Sequence, residues 1–191
     1  VAHDDICLGR RHVVERIAGR GDAPLGFGVD GNGRFAARGG GAAARLMLDQ
    51  IADMFRLQAA AKGLVFEHER ADNLPPHVFT DEKRLRQILI NLVSNAIKYT
   101  PAGSVGLTVR WRDPVAEFEV WDTGIGIAQE DIERAFEPFE RIRTLSGVQG
   151  IGLGLTITRL LAQIMGGDIA VDSQPGDGEA QADALHAAER A

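Results

Sequence analysis

Residues 86–100 read RQILINLVSNAIKYT, and the helix they predict has two faces that differ in kind. At about 100° per residue, Leu85, Ile88, Leu89, Leu92, Val93, Ala96 and Ile97 spread over one broad apolar face. Gln87, Asn91, Asn95 and Lys98 share a stripe roughly 80° wide beside it. Asn is a poor helix former because its amide competes for the backbone. Two Asn one turn apart, followed by Lys, therefore suggest a task. Asn supplies a neutral oxygen suited to a hard cation such as Mg²⁺, and Lys a compact charge suited to phosphate. A solvated polar stripe is the competing reading, and this helix alone does not decide between them.

Upstream of that helix, Leu46, Ile51, Met54, Phe55 and Ala59 recur at near-helical spacing between Ala42 and Gly63, with Gly63 as the C-cap. Leu64 to Glu69 reads as a strand, Asn73-Leu-Pro-Pro as a turn and His77 to Thr80 as a short strand. Thr80 or Asp81 caps the Asn helix, with acids in its first turn, where the helix dipole favours them.

Downstream, Val105, Leu107, Val109 and Trp111 alternate with smaller or polar residues over Ser104 to Arg112, the pattern of a half-buried strand. Asp113-Pro114 turns the chain into a hairpin. On the next strand Ala116, Phe118 and Val120 share a face, and the same alternation puts Asp122 on it. A carboxylate aimed at the apolar side is costly unless something binds it. Thr123-Gly-Ile-Gly-Ile follows, and its glycines let a backbone or a flat ligand approach closely. Asp122 could accept a hydrogen bond from an adenine amino group, or simply cap the turn; both readings stand at this point.

Gln129 to Ala135 reads as a short helix ended by Phe136-Glu-Pro-Phe139, and Glu140 to Gln149 as a mobile loop carrying Arg141 and Arg143. Gly150-Ile-Gly-Leu-Gly154 then opens into a helix with Leu155, Leu160, Leu161 and Ile164 as its apolar positions, ended by Gly166-Gly167. Glycines at a helix N-terminus make an anion site from free N–H groups. The run lacks the Lys-Ser/Thr ending of a P-loop and the βαβ context of a dinucleotide fingerprint.

The 191 residues suffice for one domain with a real core, at 45% hydrophobic and 25% charged. A formal net charge of −6 does not favour nucleic acid or an anionic membrane as partner. The single cysteine, Cys7, excludes an internal disulfide and fits a reducing compartment. No apolar run approaches the ~20 residues of a membrane span and no signal peptide is visible, so a cytoplasmic location without direct membrane contact is expected. Residues 1–41 are different in composition. Nine of the 23 glycines fall between Gly19 and Gly41, among scattered arginines, and 1–41 reads as irregular or disordered, with a short helix possible over Ile6 to Ile17. The chain begins with Val1 rather than Met, as a fragment would.

Taken in order, NLVSNAIKYT (91–100), DTGIG (122–126), FEPF (136–139) and GIGLGL (150–155) resemble the N, G1, F and G2 boxes of the ATP-binding catalytic domain of sensor histidine kinases. The likeness covers 42–178, and four boxes in register are far more specific than any one. This domain belongs to a superfamily shared with gyrase, the heat-shock chaperone ATPase and MutL. The resemblance implies an α+β fold: a two-layer α/β sandwich, its mixed, mostly antiparallel sheet covered on one face by helices, with ATP beneath a flexible lid.

The resemblance also implies roles. Asn95 would bind the Mg²⁺ that bridges the phosphates. Asn91 would be the catalytic-position residue and would touch nucleotide; it stands where hydrolysing relatives carry a glutamate base, and an amide cannot take a proton from water, so simple hydrolysis should be slow. Lys98 and Tyr99 would contact phosphate and nucleotide. Asp122 would hold the adenine amino group, with Gly124, Gly126 and Ile127 lining the base pocket. Phe139, Arg141 and Arg143 would belong to the lid, and Gly150, Gly152, Gly154 and Leu155 would close over the phosphates. The implied cofactors are ATP and Mg²⁺. The implied partners are a histidine-containing acceptor and dimerisation domain and, through it, a response regulator.

The chain departs from that family in two places. None of His3, His12, His68, His77 and His186 sits in an acceptor pattern like His-Glu/Asp-x-Arg-x-Pro. After Asp168 to Ser173 and the turn Gly176-Asp-Gly178, the family continues with a β-branched strand, whereas 179–191, EAQADALHAAERA, is an atypical tail of helix propensity. Loss of pattern at both ends fits a truncated or frame-shifted gene. A regulatory ATP-binding module or remnant without phosphotransfer, and a serine kinase of the anti-sigma-factor type, are the alternatives to a histidine kinase.

Overall fold

The computed structural model describes residues 14–19, 42–74, 77–78, 80–112, 115–140 and 152–174. Seven strands and three α-helices occur among them: β1 Val14–Gly19, β2 Ala42–Ala43, α1 Ala44–Ala61, β3 Val65–Arg70, β4 His77–Val78, α2 Glu82–Tyr99, β5 Ser104–Arg112, β6 Val115–Asp122, α3 Gly154–Ile164 and β7 Gly167–Asp172. The expected tail 179–191, the turn at 176–178 and the pair Pro75-Pro76 lie outside the described residues.

The helix that the apolar stripe predicts is α2. Asp81 is its N-cap, and its side chain accepts a hydrogen bond from the Arg84 N–H. The residues it buries are Leu85, Ile88, Leu89, Leu92, Val93, Ala96 and Ile97, the whole predicted apolar face. They pack with Met47, Leu48, Ile51, Phe55 and Ala59 of α1 against Val105, Leu107 and Val109 of β5 and Ala116, Phe118 and Val120 of β6. Burying a side chain of that size is worth roughly 1.5–3 kcal/mol, so this layer-on-layer contact is the main source of stability. Lys62, just past α1, donates its ammonium protons to the Ile97 and Lys98 carbonyls, closing the C-terminal end of α2.

The sheet runs β3-β5-β6-β1-β7, with β3 parallel to β5 and every other neighbour antiparallel. The expected α+β class, a mixed and mostly antiparallel sheet with helices on one face, is the class observed. A separate two-stranded ribbon pairs Ala42 with Val78 and Ala43 with His77.

Three expectations are corrected. Val14–Gly19, read as part of an irregular segment and as the end of a helix over 6–17, is a strand seated between β6 and β7. Its partners lie about 100 residues away on β6 and about 150 away on β7, so local periodicity carries no trace of the pairing. The helix expected over 129–135 is two 3₁₀ turns, Gln129–Asp131 and Arg134–Phe136. On α3 the buried residues are Thr158 and Ala162, whereas Leu160 and Ile164 are about half exposed.

Candidate functional site

Two elements bring the predicted polar residues toward each other. α2 presents Asn91, Asn95, Lys98 and Tyr99 half-buried along one side, and β6 ends at Asp122, which is buried. The turn after β6 is tied to the end of α2 by the Ile125 N–H, which donates to the Tyr99 carbonyl. Asp122 Oδ1 accepts the Gly124 N–H at 2.8 Å. A Cβ at residue 124 would collide with the Tyr99 carbonyl, so only glycine fits that crossing. Burial pushes the Asp122 carboxyl up to about 6, against the opposing pull of the Gly124 N–H and of a hydrogen bond with Thr100. Thr100 is itself fully buried, and its single hydroxyl proton is shared between the Asp122 carboxylate and the Ala96 carbonyl, 2.7 Å away. At neutral pH, Asp122 is therefore a desolvated acceptor held in a fixed orientation.

The loop beyond, with Gly126 in the left-handed region at φ 70° and Ile127 buried, is anchored from the far side of the sheet. The Ile127 N–H donates to Ser173 Oγ at 2.8 Å, just past β7. Thr100 and Ser173 are supports that sequence reasoning missed. Thr100 closes a motif that sequence reasoning did quote, so its small hydroxyl beside Tyr99 was an available signal; Ser173 had none.

The second cluster joins α2 to α3. Asn91 Nδ2 donates to Thr158 Oγ1 at 2.6 Å, and Thr158 Oγ1 donates to the Gly154 carbonyl at 2.9 Å. A Cβ at residue 154 would stand 2.9 Å from Asn91 Oδ1, so a larger residue where the helix starts would push the Asn91 amide aside. A cleft of about 270 Å³ opens beside this contact, lined by Gln87, Asn91 and Ser94 on one side and Gly154, Ile157 and Thr158 on the other. Leu155 is half-buried at the first turn of α3. The Phe139 N–H donates to the Gly152 carbonyl at 3.0 Å, clasping the chain on either side of 140–151. Phe139 itself has φ 65° and is largely exposed. Behind it Phe136 is buried, with the Arg159 guanidinium 3.6 Å from its ring centroid. Arg141, Arg143 and Gly150 lie outside the described residues.

Lys98 places its ammonium 5.1 Å from the Tyr99 ring centroid. Among the described residues no group of three or more His, Cys, Asp or Glu side chains could hold a metal. The donor set of α2 is instead neutral amide oxygen, and a cation at Asn95 would take most of its ligands from water and from a bound anion. That is how Mg²⁺ is ordinarily held in phosphate sites, and the residues fit it. No described helix is long and apolar enough to cross a membrane.

Comparison with known proteins bears on the same residues. The family described as "Histidine kinase-, DNA gyrase B-, and HSP90-like ATPase" matches residues 80–181. The aerobic respiration control sensor protein ArcB of Escherichia coli is 42% identical over 144 residues, covering 73% of this chain and 18% of that protein. Full-length ShkA, solved in complex with AMPPNP, superposes with a TM-score of 0.63 at 37% identity, covering 72% of this chain and 28% of that one. The catalytic domain of the histidine kinase ThkA, in a nucleotide-free form, gives a TM-score of 0.54 at 30% identity over 62% of this chain and 77% of that one. The chain thus spans less than a fifth of the length of its curated relative.

Proposed function

Because this chain belongs to the histidine kinase-, DNA gyrase B- and HSP90-like ATPase family, and within it to the catalytic ATP-binding domains of histidine kinases, we propose that it binds Mg-ATP and delivers the γ-phosphoryl group to a histidine on a separate acceptor domain or chain. A response regulator would receive the group in turn. The observation that carries the reading is Asp122. A desolvated carboxyl whose orientation is fixed by the Gly124 N–H and Thr100 keeps an acceptor ready for a flat donor. In this reading the donor is the adenine amino group, and Gly124, Gly126 and Ile127 shape the slot around the base.

Asn95 would contribute an amide oxygen to Mg²⁺, and Lys98 a charge near the phosphates once it leaves the Tyr99 ring. Mg²⁺, when bound, would offset charge on the phosphate oxygens. Phe139, Arg141, Arg143, Gly150, Gly152, Gly154 and Leu155 would cover the nucleotide. Asn91, having no basic atom, would leave water unactivated and so preserve the γ-phosphoryl group for its acceptor. None of the five histidines sits in an acceptor pattern, which is why a separate acceptor is invoked; among the described residues, His68 on β3 is half-buried in the sheet.

Calorimetry tests this. The wild type should bind Mg-ATP in the micromolar range, and Asp122→Asn and Asn95→Ala should each weaken binding at least about tenfold. Asp122→Asn should also lose the preference for adenine over guanine. Failure of the folded wild type to bind would overturn the reading. Binding followed by transfer to a protein serine rather than to an acceptor-hairpin histidine would favour the anti-sigma-factor type, and binding without transfer to either would favour a regulatory module.

A further inference from the structure

Thr158 is almost wholly buried at the α2–α3 contact and is the only partner, among the described residues, of the Asn91 amide nitrogen. A hydroxyl carries one proton. Thr158 gives its proton to the Gly154 carbonyl at 2.9 Å, an acceptor that can receive but not donate. Only lone pairs are left on Thr158 Oγ1 to face Asn91, 2.6 Å away. The end of the Asn91 amide that points at Thr158 must therefore be the NH₂ group, and the carbonyl oxygen must turn away from it. Proton accounting alone makes this assignment. The oxygen lies where a Cβ of residue 154 would be 2.9 Å from it, so the glycine that opens α3 leaves it room.

We infer that Thr158 is a positioning residue of the nucleotide site: it fixes the Asn91 amide so that an acceptor oxygen, and not a donor NH₂, faces the nucleotide. This rests on the function proposed above and adds a prediction about ligand chemistry. An NH₂ facing the nucleotide would donate to a phosphate oxygen. The oxygen cannot; it selects a cation, or a water held by one. Asn91 would then act on the metal side of Mg-ATP, and Thr158 would decide it.

Two substitutions separate orientation from packing, because they make opposite changes. Thr158→Val keeps the shape and removes the acceptor. Thr158→Ser keeps the acceptor and removes a methyl group. Calorimetry of the full chain with AMPPNP, with and without Mg²⁺, should show that Thr158→Val reduces the gain in affinity conferred by Mg²⁺ by about tenfold, leaving metal-free affinity unchanged, while the serine variant behaves as wild type. A packing role predicts the reverse ranking, with valine harmless and serine impaired, and that ranking would overturn the inference. The nucleotide-free protein gives an independent readout. The Asn91 side-chain amide protons should exchange slowly with solvent in wild type and Thr158→Ser, and quickly in Thr158→Val; equal rates in all three would also overturn it. Absence of wild-type binding to Mg-AMPPNP would remove the proposed function, whereas normal binding with no valine effect would remove only the role of Thr158.

Discussion

Helix α2 and strand β1 lie in one domain but owe their structure to opposite causes. α2 carries its own instructions: a cap at Asp81, an acid in its first turn and an apolar face that is buried residue for residue. β1 carries almost none. It is held by backbone pairing on both sides, Glu15 to Ala18 against Val120 to Glu117 and Val14 to Gly19 against Asp172 to Gly167. One element is dictated by pattern, the other by a vacancy between two strands far along the chain. The polar site belongs to the first kind of structure, and the β1–β7 side of the sheet supports it from behind through Ser173.

If that contrast is real, the two regions should break differently. Ile17→Pro removes an amide from a strand paired on both edges, which should cost about 3 kcal/mol or more. Hydrogen exchange should show Asp168 to Asp172 losing protection before any amide of α2 does; simultaneous loss would mean that the two regions form one cooperative unit. Asp122 stands where they meet. Its folded value of about 6 exceeds the ordinary 3.8, so the folded chain holds this proton more tightly than the unfolded one. The stability this lends is fully present below about 4 and is lost as pH rises through 6. Asp122→Asn should therefore stabilise the nucleotide-free protein by about 3 kcal/mol at pH 8 and by almost nothing at pH 4. Urea titrations at both pH values check it, and a pH-independent difference would show that the carboxyl is not desolvated. The smallest effect belongs to Asp81→Ala, about 1 kcal/mol by loss of the cap. A thermal melt that shifted as far as that of Ile17→Pro would show α2 to be less autonomous than its sequence suggests.

The same contrast explains what could be read in advance. The face of α2, the inward side of Asp122 and the glycines around it follow from periods of 3.6 and 2, which are local. So does the β5–β6 hairpin, whose observed strands match the alternation that announced them. The small ribbon β2–β4, the seat of β1 and the hydroxyls of Thr158 and Ser173 depend on contacts between residues distant in sequence. A buried threonine on an apolar helix looks, in one dimension, like any β-branched residue. Leu160 and Ile164 misled for the related reason that a helix pattern shows which residues are apolar but not whether a partner covers them.

The position of β1 also has a consequence for synthesis. It leaves the ribosome before both of its neighbours, and Val115, where the first of them begins, is 96 residues behind Gly19. At roughly 5–20 residues per second, β1 waits on the order of 5–20 s for a partner. During that time α1, α2 and β5 can already have packed together. The sheet is finished only when β7 pairs with β1 at its edge, and a chain interrupted before Gly167 would leave that side of β1 as an open sheet edge.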